Sequence, residues 1–203
     1  MFDIGYLDIS GSMGLAASST LTLNMIFGMF LGTNFKHTIY WKKLPYWVKK
    51  YPIINYHNFT AYTAICFVVL HLLFLFLHKE SGFSIVQLIN PLGAPIQRNI
   101  VLLGVMAFYG FLLAIISSQK IIRKSMSFRS WKNIHLVAYA TTGLFLVHGL
   151  LMDPLLKNRP TDWLDAEKFF SEGLIVIFII AVTIRVRYQI NQKKKVIKTS
   201  VDY

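Results

Sequence analysis

Four histidines stand out by type and spacing: His57, His71, His135 and His148. His57 and His71 are 14 residues apart, His135 and His148 are 13 apart, and each pair sits in one long apolar stretch. Ionisable residues in such stretches are rare and functional by default. At 1.5 Å per residue, 14 residues rise about 21 Å and 13 about 19.5 Å, so each helix would set one histidine toward each face of an approximately 30 Å hydrocarbon core. Two neutral imidazoles facing each other from separate helices can take both axial positions of a haem iron, an arrangement suited to low-spin electron transfer rather than oxygen binding. His57 and His135 would then be level on one side, and His71 and His148 on the other. Helix–helix hydrogen bonding and a proton relay are the alternative uses of these rings.

Facing is a stricter test than depth. Fourteen residues end about 40° short of four full turns, so His57 and His71 share a helix face. Thirteen residues leave His135 and His148 about 140° apart on an ideal helix. A π-bulge or kink would correct this, and Gly143 is the expected place. Haem propionates are anionic and need donors or positive charge. Arg98 on one side, with Arg129 and Lys132 on the other, are candidates, and so is His78, seven residues beyond His71 on the same face. The plainer reading of the three bases is topology-setting charge, and of His78 an interfacial ring. His37, in a basic loop, has no expected chemical role.

The elements that must position these residues are membrane spans. The chain has 203 residues, 55% of them hydrophobic, above the usual 45–50% of a soluble domain. Five stretches have the length of a spanning helix: 13–33, 56–78, 100–118, 134–152 and 174–184, the last reaching full length from Phe169. The first is diluted by Ser18, Ser19, Thr20, Thr22 and Asn24. None of the 21 basic and 9 acidic residues lies inside these cores. The expected fold is therefore an all-α integral membrane bundle of about five transmembrane helices holding two stacked b haems. Its parts are an external tail (1–12), a transmembrane di-haem domain (13–190) and a basic cytoplasmic tail (191–203) lying at the lipid headgroups.

The net charge of +12 is sorted by side. Asp3 and Asp8 give −2 before the first span. Lys36, Lys42, Lys43, Lys49 and Lys50 give +5 after it. The segments after spans two, three and four carry +1, +5 and −2, and the C-terminal segment carries +5. The positive-inside rule places the N-terminus outside and the C-terminus in the cytoplasm, as five spans require. The charge is thus not a nucleic-acid signal, and the partner surface is the lipid bilayer of the cell (inner) membrane. Trp41, Trp47, Trp131 and Trp163 fall near span ends like an aromatic belt. Gly28 and Gly32 form a GxxxG pair that would let another helix approach. The segment 78–97 reads as an interfacial helix or an outer lid. Cys66 reads as a small buried hydrophobe; with no second cysteine and no CxxCH motif, neither an internal disulfide nor covalent haem attachment is expected. No cleaved signal peptide is evident. No GxGxxG or Walker loop occurs, so a flavin or nicotinamide domain is expected on a separate protein.

Two segments carry a resemblance: "YHNFTAYTAICFVVLHLLFLFLH" and "SFRSWKNIHLVAYATTGLFLVHGLLMDP". With H-x13-H on one span, H-x12-H on another and an Arg-x-Trp-Lys-x-x-His entry (Arg129, Trp131, Lys132, His135), the chain from Met13 to Tyr188 resembles the ferric reductase-like transmembrane domain family. That family includes the membrane parts of NADPH oxidases and ferric reductases. It also includes the haem-binding, quinol-oxidising subunit of bacterial periplasmic methionine sulfoxide reductase systems. The resemblance implies two haem b groups ligated by His57, His71, His135 and His148, passing electrons from the cytoplasmic to the external side. The donor would be a separate flavoprotein, an FMN or FAD on a partner or at the cytoplasmic face, or a quinol. The acceptor would be ferric iron, oxygen or a periplasmic protein. This sequence departs from the oxidases and ferric reductases in lacking the attached flavin and nucleotide domain, and in having five spans where many relatives have six. The alternative is a haem-bearing anchor subunit that wires a partner redox enzyme without a substrate site of its own. A transporter or channel is disfavoured, since no charged residue lies inside the spans.

Overall fold

Apolar stretches in hydrocarbon must satisfy their backbone groups internally, and here they do so as helices. The structure, a computed structural model, describes residues 5–33, 35–152 and 166–201. The helices are α1 (Tyr6–Gly32), α2 (Ile39–Lys43), α3 (Tyr46–Lys49), α4 (Ile53–Leu77), α5 (Val86–Ile89), α6 (Arg98–Ser118), α7 (Lys120–Lys124), α8 (Phe128–His135), α9 (Val137–Leu151) and α10 (Ala166–Val201). Five units are long and apolar enough to cross a membrane: α1, α4, α6, α8 with α9, and the stretch Lys168–Gln192 of α10. The fold is all-helical among the described residues, as the sequence leads one to expect. Most of the segment after span four, Trp163 included, lies outside the described residues.

The first span begins seven residues earlier than its apolar run, at Tyr6, so much of the expected external tail is helix. Its diluting polar residues are satisfied locally. Ser19 Oγ donates to the Leu15 carbonyl, Thr20 Oγ1 to Ala16 and Thr22 Oγ1 to Ser18, each at 2.8 Å. Asn24 instead crosses to α4, where its Nδ2 donates to the His57 carbonyl at 2.5 Å and to Thr60 Oγ1 at 3.0 Å. Such bonds join helices where lipid supplies no hydrophobic drive for association. The "weakest" span of the sequence is the most buried one: 39% of its apolar window is buried, against 6% for the peripheral α10.

α1 packs along α4, and α6 along α9 and the end of α8; α1 also touches α9, and α10 lies on α9 and α1. The two pairs therefore face each other with α4 opposite α8 and α9. Their shared core is Ala17, Leu21, Ala64, Val68, Ala107, Phe111 and Phe145. On α4 and α9 these residues fall between the histidine levels, with Phe111 and Phe145 edge to face at 6.2 Å.

The clusters Lys36–Lys50 and Lys120–Lys132 and the C-terminal half of α10 share the lysine-rich end of the bundle. At the opposite, far end Phe83 and Ala94 tuck onto Val101 while Ile85, Val86, Ile89 and Leu92 stay exposed. Segment 78–97 is thus a lid that also presents an apolar outer face. One expectation changes. Cys66 is exposed on the outside of α4 rather than buried, on a face that reads as lipid-directed. The basic residues from 191 onward continue α10, which runs unbroken to Val201. At 1.5 Å per residue its 36 residues span about 54 Å, well beyond an approximately 30 Å core.

Candidate functional site: two facing histidine pairs

α4 carries His57 and His71, α8 ends on His135, and α9 carries His148. The His57 and His135 rings are 6.1 Å apart, centre to centre, with planes at 74°. The His71 and His148 rings are 6.5 Å apart at 82°. The structure therefore brings the four together as two level pairs, one toward the lysine-rich end and one toward the far end.

The helix departs from ideal geometry at Leu136, not at Gly143. Leu136 separates α8 from α9, its N–H returning to the Lys132 carbonyl at 3.0 Å while Tyr139 N–H bonds the Leu136 carbonyl at 3.1 Å. That last bond skips only three residues, as in a 3₁₀ turn, which rotates about 20° more per residue than an α-helix and so turns His148 toward alignment with His135. Gly143 lies within unbroken α9, where an added Cβ would meet Phe178 of α10 at 3.6 Å.

Every imidazole is held at Nδ1. His71 Nδ1 lies 2.8 Å from the Ser10 carbonyl, His57 Nδ1 3.0 Å from that of Asn24, and His148 Nδ1 2.8 Å from that of Ile100. His135 Nδ1 lies 3.2 Å from Ser118 Oγ. A carbonyl only accepts, so Nδ1 carries the proton in the first three rings and Nε2 keeps its lone pair for a metal. This is the usual outer support of a metal-bound histidine.

The donor set can be tested against haem. An imidazole nitrogen binds a first-row metal at about 2.0–2.1 Å and the ring centre lies about 1.1 Å further back, so two trans imidazoles set their centres about 6.3 Å apart. The two observed separations bracket that value. No group of three or more His, Cys, Asp or Glu suited to a bare metal ion occurs among the described residues. Two imidazoles per level suit an iron whose remaining ligands come from a macrocycle. Beside His71 and His148 a cavity with about 1290 Å³ of empty space, its mouth included, is lined by Gly14, Val68, Phe83, Leu88, Phe145 and Lys168 among others.

Three buried side-chain nitrogens lack a hydrogen-bond partner among the described residues: His78 Nδ1, Trp131 Nε1 and Arg185 Nε. Buried polar atoms are rarely left so. One lies at the far end and two at the lysine-rich end, where anionic groups such as propionates would complete them. Of the expected charged candidates, Arg98, Arg129 and Lys132 are exposed, and Arg98 Nε donates to the Ala94 carbonyl at 3.2 Å.

The sequence reading missed three residues. Trp131, read as a belt residue, stacks on His135 at 5.1 Å and 17°, with the Arg123 guanidinium 4.5 Å from its ring centre. Arg185 reaches from α10 to the Gly32 carbonyl at 2.6 Å, so Gly32 serves that contact while Gly28 faces His57. Lys168 is 6% exposed, lines the far-end cavity and donates to the Leu150 and Met152 carbonyls, each at 2.5 Å. The one signal for Lys168 was its place as the last base before the fifth apolar run.

Two facing histidine pairs at two depths of a bundle of membrane-length helices define a class of integral membrane scaffold, and comparison with known proteins gives its family. Residues 13–152 match the family described as ferric reductase like transmembrane component, and the chain belongs to that family. The match takes in all four histidines and ends before α10. No curated protein and no solved structure matched the chain.

Proposed function

We propose that this chain carries electrons across the cell membrane through two bis-histidine b haems, His57 with His135 on the cytoplasmic side and His71 with His148 on the external side. The observation that supports it best is the pair of ring separations, 6.1 and 6.5 Å, at two levels of a ferric reductase-like bundle. When bound, each haem supplies one reversible electron at its iron. The protein's own part is to orient. α1 and α6 fix the Nδ1 protons, leaving four Nε2 atoms for the irons. Ala64, Val68, Phe111 and Phe145 fill the space between levels and keep water out of it. Lys168 and His78 would meet carboxylates on the external side, and Trp131 and Arg185 on the cytoplasmic side.

Reduced nicotinamide delivers a hydride, which a haem iron does not take up and flavin chemistry does. The proposed donor is therefore a flavoprotein, a flavin at the cytoplasmic face or a quinol, and the acceptor is ferric iron, oxygen or a periplasmic protein. Loading the protein into liposomes with an external-side acceptor enclosed tests this. NADPH alone should leave the acceptor oxidised. NADPH with a flavin reductase and flavin, or a quinol, should reduce it, and excess salt should slow a flavoprotein donor that docks on the lysine-rich end. Rapid reduction by NADPH in flavin-free protein, or no reduction with any donor, would contradict the proposal.

A further inference from the structure

The carbonyls that take the histidine Nδ1 protons share one feature. In a helix the side chain at position n+4 leans back over the carbonyl of residue n. Four residues after Ser10, Asn24 and Ile100 come Gly14, Gly28 and Gly104. A Cβ at Gly14 would lie 3.2 Å from His71 Nδ1, and one at Gly28 3.2 Å from His57 Cε1. At Gly104 it would fall 2.7, 2.8 and 3.0 Å from His148 Cε1, Nδ1 and Nε2, distances at which the ring must move. Four residues after Ala114 comes Ser118, and here the pattern varies. Its Oγ donates to the Ala114 carbonyl at 2.8 Å and faces His135 Nδ1 at 3.2 Å. The cradles repeat at 14-residue spacing on both helices, Gly14 with Gly28 on α1 and Gly104 with Ser118 on α6. Fourteen residues return to nearly the same helix face, so one stripe of α1 serves both histidines of α4.

We propose that Gly14, Gly28, Gly104 and Ser118 are positioning residues for the four histidines, and that Ser118 makes the pair at the lysine-rich end chemically distinct. The inference rests on the haem reading above. Each glycine uncovers a carbonyl that sets the ring's tautomer and rotation. Ser118 donates its own O–H to the Ala114 carbonyl and so competes with His135 Nδ1 for that acceptor, and a weaker Nδ1 bond makes the imidazole less electron-rich toward iron.

The test is paramagnetic resonance and haem content of purified, oxidised protein, with a redox titration. Ring planes near perpendicular, as at 74° and 82°, give low-spin ferric signals with one unusually large g value, sensitive to ring rotation. Gly104→Ala should lower the affinity of one haem by about 10- to 100-fold and shift or remove one signal, leaving the other in place as proof of folding. Gly173→Ala, where an added Cβ meets nothing within 4 Å, should change neither. Ser118→Gly should keep both haems and make the potential of one more negative. If Gly104→Ala keeps two haems with unchanged signals, the cradle idea fails; if Ser118→Gly moves neither potential, the distinct role of Ser118 fails. If Gly104→Ala does not fold, Gly14→Ala decides, since an unchanged signal there would overturn the proposal and a shift in one signal would uphold it. Wild-type protein without haem would sink the functional reading instead, so the two failures are distinct.

Discussion

Each histidine does two things at once: Nδ1 binds a neighbouring helix, which leaves Nε2 to the space between helices. Replacing His71 with Leu keeps the apolar volume but removes one side of the far-end pair. One haem should be lost per chain, and the reduced-minus-oxidised spectrum should fall to about half with the second haem intact; loss of the other site alone would refute the level pairing. The histidines were legible because an ionisable residue in a 20-residue apolar run is an anomaly that spacing alone converts to depth. Their supports were not. Gly14 and Gly104 are ordinary residues for a membrane helix, and their meaning lies in a backbone carbonyl four positions earlier and a ring on another helix. Trp131 was misread for a related reason: sequence places it at a span end, which is where both a belt residue and a ring stacked on His135 would sit.

At the scale of elements, hydropathy located the five spans, and polar content misjudged the first. Ser, Thr and Asn lower hydropathy yet bond back to their own helix or across to the next. Asn24→Leu deletes two bonds from α1 to α4, at 2.5 and 3.0 Å, and leaves a more apolar segment. Membrane helix–helix hydrogen bonds average about 0.6 kcal/mol, so a loss of about 1 kcal/mol is expected. Thermal unfolding of the loaded protein in detergent should show a midpoint lower by a few degrees; a raised midpoint would mean that hydropathy, not these bonds, governs the span. The kink was legible in need but not in place. The 13-residue spacing demanded extra rotation, and the glycine at 143 was the natural guess. The turn falls at Leu136, the first residue past His135, where α8 passes into α9.

For the whole molecule, charge pattern and helix number agree on an arrangement with three basic clusters at one end. A reporter fused after Tyr203 should be active only in a cytoplasmic assay, and external activity would reverse the inner and outer labels of the two sites. The fold puts an aromatic and lysine-rich surface at one end, with Trp47 and Tyr46 exposed, and a cavity under a lid at the other. The two ends of the bundle are therefore chemically unlike, as the proposed transfer between different donor and acceptor sides would need. All of it depends on cofactor content, which one measurement settles. Purified protein, extracted with acid-acetone and titrated as the pyridine haemochrome, should release two b haems per chain, since the proposal has four imidazoles in two pairs holding two irons without covalent attachment. One haem or none per chain would contradict the account.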